Sequence, residues 1–390
     1  MLVFFRLIRS GSLICWFALG AAGCASQSSA FDVRPSPATA GRNVKLEKIV
    51  PYQARFGRHR PVIAVVGENR GTELTDYIVP FGVLTQSDVA DVISLSTAQG
   101  PIKTFTDMGK PAFQIASQAT VSEFDTAYPD GADYVVVPAA ADSAELRAWV
   151  TTQIGKGATI VSICNGAMVV AMTGLMDGHR ATAHWSSEGH RLEMHRNIQW
   201  VKNARYVADR NWISSAGVSA AMPTSIALVE AIAGPARAAA LAQELGMATW
   251  DSSHNSDFFQ PTLGSNLMAF AQTLYFNRWF HTTEKIGVPV ALGVNEMTLA
   301  LTVDAYSSTG RSQAYIVAGS ATPIQTAHGL TIIPDLTSRD GPSLSHELPA
   351  LDGVPPGRVL ARVLTDIEAL YGKTSAYGVA LLLEYPWDIH

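Results

Sequence analysis

Ala158-Thr-Ile-Val-Ser-Ile-Cys164-Asn-Gly166-Ala-Met-Val-Val-Ala171 is the stretch that decides the fold. Ala158 to Ile163 is a short β-branched apolar run, the pattern of a strand buried on both faces. From Gly166 to Leu175 the spacing is helical. Cys164 stands between the two, where a tight strand-to-helix turn presents a side chain at the edge of a sheet. Gly166, two positions on, is small enough to let the helix pack close. Backbone N–H groups of the first helical turn would face such a side chain. They lower a thiol's pKa and can stabilise a developing oxyanion. The other reading of the local pattern is a Cys that fills space at a turn.

Working outward, Pro61 to Gly67, Val92 to Thr97 and Ala132 to Val137 are further strand candidates. Thr72 to Leu84 has helical spacing, with Leu74, Ile78 and Phe81 on one side. Asp142 with Glu145 reads as a capping box opening a helix whose apolar face is Leu146, Trp149, Val150 and Ile154. Short strands at Tyr206–Val207 and Trp212–Ser214 precede a helix from Met222 to Ile232. Alternating strands and helices predict an α/β fold with a mainly parallel sheet covered on both faces. Sites in such sheets lie beyond the carboxyl ends of the strands. That selects the segment after Gly67, the segment Pro138-Ala139-Ala140 and Cys164.

Residues 246–285 break the pattern. Asp251, His254 and Asp257 are read as a polar loop, since their spacing matches no named metal site. Leu267 to Phe280 is an apolar helix whose Tyr275, Phe276, Trp279 and Phe280 are read as core or dimer contact. The chain then restarts. Val288 to Thr302 echoes Val62 to Val79, and Pro323 to Thr326 echoes Pro101 to Thr104. This is a partial duplication without a second Cys-bearing strand, expected to pack against the first unit or a partner subunit.

Three ordered motifs carry a family resemblance. Ser162 to Trp185 (SICNGAMVVAMTGLMDGHRATAHW) resembles the nucleophile segment of the ThiJ/PfpI superfamily, a glutamine amidotransferase-like group. It is most similar to the branch of isocyanide hydratases and amidotransferase-like domains of AraC-type regulators. Glu73 to Leu84 resembles that family's first helix, and Ser214 to Val218 its "TSAGV" turn. The resemblance spans about residues 61–245. It implies a flavodoxin-like three-layer sandwich, with residues 286–390 as a partial repeat of the same unit. It makes Cys164 the nucleophile, and Asp76, four residues before Pro80, the acid that shares a proton with the thiol. Glu73 is the rival acid, read as a solvated first-turn residue. Asn165, Ala139, Gly166 and His184 are the expected oxyanion and pocket set, with His184 more readily a hydrogen-bonding residue of the fold.

Three departures from the family pattern matter. Asn165 stands where protease-like members carry His and hydratases Thr, which argues against a peptidase. Ala139-Ala140 replaces the Gly pair that lets an N–H face the nucleophile. Pro223 stands where the hydratase branch carries Asp.

Net charge is −5 with no basic stripe, which excludes a nucleic-acid footprint. Arg6 and Arg9, an apolar run and Leu19-Gly-Ala-Ala-Gly-Cys24 resemble a bacterial lipoprotein signal, with lipidation expected at Cys24. Ordinary cleavage near Ala22 is the alternative. The chain has three cysteines, and Cys15 falls inside the signal, so a disulfide framework is excluded. The expected organisation is signal 1–23, tether 24–58, ThiJ/PfpI-like domain 59–245, helical connector 246–285 and half-repeat 286–390. The expected function is a cofactor-independent cysteine-nucleophile enzyme, hydratase or amidase-like, acting on a small molecule in the cell envelope. It is expected as a homodimer, held by a lipid anchor or soluble in the periplasm. The alternative is a non-catalytic ligand-binding or redox-sensing protein.

Overall fold

The apolar runs named above become the middle layer of a three-layer sandwich. In chain order the first unit comprises β1 (Val62–Gly67), α1 (Leu74–Gln86), β2 (Asp91–Ser96), β3 (Ile102–Phe105), β4 (Pro111–Ala116) and β5 (Tyr134–Val137). There follow α2 (Ala144–Gly155), β6 (Thr159–Ser162), α3 (Gly166–Ala171), β7 (Tyr206–Asp209), β8 (Trp212–Ser215), α4 (Ala221–Ala233) and α5 (Pro235–Leu245). The structure is a computed structural model and describes residues 46–339, 344–350 and 353–387. The expected signal, Cys15 and the lipidation candidate Cys24 lie outside the described residues.

The main sheet runs β7-β8-β6-β5-β1-β2, with the short strand Ala119–Thr120 beyond β2. All its pairings are parallel except β7 with β8. Strand alternation divides β1 between two cores. Ile63 and Val65 join α1 and α4 on one face, while Val62, Ala64 and Val66 join α2 on the other. The carboxyl ends of β1, β5 and β6 therefore converge on one edge, where Cys164 sits.

Two local expectations shift. Ser143, not Asp142, caps α2: its extended backbone places Oγ to accept from Leu146 N. Asp142 pairs with Arg147 instead. The supposed tether also ends before residue 58. Tyr52 N donates to Ala231 O, and the Glu47 carboxylate is held by Arg180, so this segment is docked.

The second unit repeats the opening of the first. It consists of β9 (Glu284–Pro289), α6 (Glu296–Ser307), β10 (Ser312–Ala318) and β11 (Thr331–Ile333). β9 pairs in parallel with β10, as β1 does with β2. It has no separate interior, because Ile286, Met297 and Leu301 share the core of α1. α6 lies on α1 where Gly82 leaves room: a Cβ there would meet Met297 Cγ at 2.6 Å. β4 pairs antiparallel with β11 (Ile115 opposite Ile332), joining the units in one five-stranded sheet. α7 (Pro356–Tyr371) and α8 (Lys373–Leu382) complete the chain.

The connector forms one helical segment, Leu267–Ala271, Gln272–Phe276 and Asn277–Phe280, with a π turn in the middle. Its aromatic cluster is not core. Gly310 and Gly378 bring neighbouring backbone so close that a Cβ would meet Thr273 O at 2.1 Å and Thr273 Oγ1 at 2.0 Å respectively. That inner face takes Ala269, Phe270, Thr273 and Asn277, and the larger aromatics turn outward.

Candidate active site

Cys164 occupies the tight turn between β6 and α3. Its φ is 55°, in the left-handed region that costs a side-chain-bearing residue roughly 1–2 kcal/mol. The turn is fixed from three sides. Cys164 N donates to Ser215 Oγ at 3.3 Å, so the Ser214-Ser215-Ala216-Gly217 turn holds the nucleophile's backbone. Gly166 N donates to Ile163 O at 2.7 Å. A Cβ on Gly166 would lie 2.0 Å from Val137 O, so α3 packs against the end of β5 only because residue 166 has no side chain. The thiol is 2% exposed, and the Asn165 N–H faces it.

Asp76, fully buried in the first turn of α1, lies near enough for its charge to act on the same thiol. Its Oδ2 accepts from Ala139 N at 3.2 Å. The Ala139 N–H, expected to line an oxyanion hole, thus positions the acid. The geometry expected of a Gly pair is used here to hold a carboxyl, which Ala does without strain. Glu73 is not solvated. It is 2% exposed and caps α1, with Oε2 accepting from Asp76 N at 2.6 Å and from Thr75 Oγ1 at 2.9 Å. Any charge on it sits at a helix N-terminus, but inside the protein.

Two acids invisible to motif reading complete the cluster. Half-buried Asp107, after β3, lies near enough to act electrostatically on both Cys164 and His184. Asp304 comes from α6 of the second unit: its Oδ1 accepts from Asp107 N at 3.0 Å and Ser308 Oγ at 3.1 Å. The Glu73 carboxyl lies within hydrogen-bonding reach of both Asp76 and Asp304. One oxygen on each of the three, Glu73 Oε1, Asp76 Oδ1 and Asp304 Oδ2, is buried without a donor. Burial pushes Glu73 and Asp76 well above the usual carboxylate range, and pushes Asp304 up to about 7. The thiol follows. Burial, then the charges of Asp76, Asp107 and Glu73, push Cys164 up, and the Asn165 N–H opposes them. The expectation of a depressed thiol pKa from helix N–H groups is overturned by this acidic, dry setting.

A second carboxylate shows the opposite balance. Glu384, buried in a left-handed turn (φ 51°) after α8, accepts from Gly217 N and Trp185 N, both at 3.0 Å, and contacts His254 Nε2 at 2.8 Å. Against its burial these donors, with His184 and His254, hold it down at about 2. His184 is 1% exposed. Its Nε2 meets Leu382 O at 2.9 Å and its Nδ1 meets Ser186 Oγ at 2.7 Å, so it fastens the C-terminal segment to the first unit. Gly217 is obligatory here, since a Cβ would lie 2.4 Å from His184 Cδ2. Buried Arg191 donates to His184 O at 2.6 Å and faces both Cys164 and Glu384. No motif pointed to it.

Asp251, His254 and Asp257 diverge: His254 turns to Glu384, Asp257 to Asn203, and Asp251 to Ser253 N. Among the described residues no group of three or more His, Cys, Asp or Glu is arranged to hold a metal ion. Asn165 places its Oδ1 in the interior without a partner. The set assembled at the sheet edge is therefore a thiol, a carboxyl that can take or give its proton, and one N–H aimed at sulfur. That combination suits nucleophilic addition coupled to proton transfer.

Residues 62–231 match the DJ-1/PfpI family. Solved structures similar to this chain include DJ-1β of Drosophila melanogaster, at 21% identity and a TM-score of 0.43, covering 48% of this chain and 99% of that one. A ThiJ/PfpI family protein from Pseudomonas syringae is similar at 24% identity and a TM-score of 0.40, covering 47% of this chain and 74% of that one. An AraC family transcriptional regulator from Pseudomonas putida is similar at 18% identity and a TM-score of 0.41, covering 48% of this chain and 99% of that one. A search of curated proteins found no match.

Proposed function

Residues 62–231 being a DJ-1/PfpI family domain, we propose that the protein is a cofactor-independent enzyme that adds Cys164 to an electrophilic carbon of a small molecule. The observation that carries this reading is a buried thiol whose sulfur takes the Asn165 N–H and feels the charge of a buried carboxyl on α1. Asp76 as carboxylate takes the thiol proton while the C–S bond forms. It then returns that proton to the substrate atom that receives the displaced electron pair. Water next forms a C–O bond at the same carbon, the C–S bond breaks, and the thiol is reprotonated. With an isocyanide the sum is hydration, and with an amide it is hydrolysis with loss of the amine. Both reactions need a proton donor at the leaving or accepting atom, a role open to a carboxyl that burial pushes above the usual carboxylate range.

A redox-sensing role is the weaker reading, because a buried thiol pushed upward is a poor target for peroxide. Placement in the envelope rests on the N-terminal sequence, Arg6 and Arg9 before an apolar run that ends at Cys24. Self-association, if it occurs, uses a face other than that of α1, which α6 of the same chain covers. The test is alkylation of Cys164 against pH, on wild type and Asp76→Asn, with turnover of an aliphatic isocyanide and a simple amide. The expected result is a thiol that titrates above the free value of about 8.5, falls toward it in Asp76→Asn, and loses turnover there. A profile indifferent to Asp76, with neither substrate consumed, would sink the enzyme reading.

A further inference from the structure

The connector helix exposes an apolar face that the fold does not use. Leu263 (86% exposed), Met268 (66%), Tyr275 (57%), Trp279 (82%) and Phe280 (73%) stand in solvent along it, with Phe276 beside them. Side chains 268, 275, 276, 279 and 280 follow helical spacing, so they form one stripe. The charge on this stretch has one sign: from Phe258 to Thr283 the sequence has no acid, and its formal cation is Arg278. Lys110 is held below the usual lysine range, first by its own burial and then by the nearby Arg278. Neither side chain makes an ion pair among the described residues.

We propose that this face, Leu263 to Phe280 with Arg278 and Lys110 at its rim, docks on the surface of an anionic lipid bilayer. Trp and Tyr have an apolar body and a polar tip, which suits the headgroup zone. An apolar helical stripe bordered by cations is the pattern of a helix lying in the interface plane. A phosphate-bearing leaflet relieves the repulsion between Arg278 and Lys110 and asks for no acid on the protein. The N-terminal segment fits the same arrangement. Between Cys24 and Leu46 the chain reaches at most about 75 Å when extended, enough for a body anchored at Cys24 to lay this face on the membrane. Among the described residues no helix is long and apolar enough to cross a bilayer, so the contact is peripheral.

The test compares the chain from residue 25 onward with its Trp279→Ala/Phe280→Ala and Arg278→Glu variants; the truncation removes no described element. Each is floated with vesicles of phosphatidylglycerol and phosphatidylethanolamine, and with phosphatidylcholine vesicles. Wild type is expected to float with the anionic vesicles. The double variant is expected to lose roughly tenfold or more of that binding. Arg278→Glu should abolish the preference for anionic lipid. Unchanged thermal midpoints would show that the variants fold, as befits such exposed side chains. Equal flotation of all three proteins overturns the proposal, and so does flotation of none. A dimer in solution that the double variant dissolves also overturns it, and assigns the face to a second copy.

Discussion

The two copies of the opening unit share a skeleton and divide the chemistry. In each, a strand leads to a helix whose N-cap side chain accepts from the third helical N–H: Glu73 from Asp76, Asn295 from Thr298. In each, a later hairpin closes on a Thr that bonds the residue four positions on, Thr106 with Lys110 and Thr326 with Leu330, across a left-handed glycine, Gly109 or Gly329. The match ends at the acid. Where the first copy has Asp76 the second has Thr298, and no Cys-bearing strand follows it. The second copy instead gives one side chain, Asp304, to the first copy's site. A repeat that keeps caps, turns and packing positions but lacks nucleophile and acid serves as a wall, and its helix α6 brings Asp304 to the site.

The comparison breaks most visibly on turnover. Cys164→Ala and Asp76→Asn should each lower it by about 10²–10⁴-fold, the usual worth of a nucleophile or a positioned proton carrier. Thr298→Asp, which restores the acid to the second copy, should change nothing, because no thiol lies beside it. Steady-state rates on the three variants decide the matter. A gain from Thr298→Asp would mean a second site.

Stability should separate the copies next. Gly166→Ala places a methyl against the Val137 carbonyl, a rigid backbone atom. We expect a loss of about 3 kcal/mol or more in urea unfolding, or no folded protein. Gly82→Ala, between the copies, meets side chains only, Met297 and the buried Glu296 carboxyl, and a smaller loss of about 1–2 kcal/mol is expected. Equal losses would show that the two units are held together as tightly as the elbow itself.

The pH dependence sharpens the role of Asp304. Its carboxyl is raised from 3.8 to about 7 in the folded protein, by burial and by neighbouring acids. Between about pH 4 and 7 the folded state therefore holds a proton that the unfolded chain has released. Stability from this group is greatest below that window and falls as pH rises through it. Asp304→Asn retains an acceptor for Asp107 N and Ser308 Oγ and cannot ionise. The variant should gain on wild type as pH rises from 4 to 7, and should be the more stable protein at pH 8. Glu384, held at about 2, runs the other way: its contribution is complete above about 4.5 and is lost as pH falls toward 2. Urea midpoints from pH 3 to 8 on wild type, Asp304→Asn and Glu384→Gln test both signs.

The elbow was legible because its constraints are local. A β-branched run, a Cys and a Gly at the second position encode one strand-to-helix turn, and the Gly166 contact explains the spacing. Asp76 was singled out by its place before Pro80, and the structure puts it, fully buried, near enough to act on the thiol. Asp107, Asp304, Arg191 and Glu384 were not legible, since each reaches the site through packing of elements far apart in sequence. Glu384 arrives over the end of α8, and Asp304 across the α1–α6 contact. Glu73 was misread for a related reason. An acid in a first helical turn is normally solvated, and only the second copy lying over α1 makes this one buried. For the outward aromatics of the connector only the core alternative fails, because the glycines that claim its inner face, Gly310 and Gly378, belong to other segments.

The smallest effect bears on that same residue. Glu73 serves two purposes, capping α1 through Oε2 and reaching Asp76 and Asp304 with its carboxyl, while Asn295 only caps α6. Asn is as good an N-cap as any residue. Glu73→Asn therefore makes the first copy resemble the second at this position, keeping the cap and deleting the carboxyl between two others. Unfolding free energy should change by less than about 1 kcal/mol, like that of Asn295→Ala, which loses one capping bond. The two variants should part in the alkylation profile of Cys164. Asn295→Ala should leave it in place. Glu73→Asn removes one of the charges that push the thiol up and should move the profile to lower pH. If both variants leave the profile where it was, Glu73 is a cap in both copies' sense and the proton-sharing set ends at Asp76.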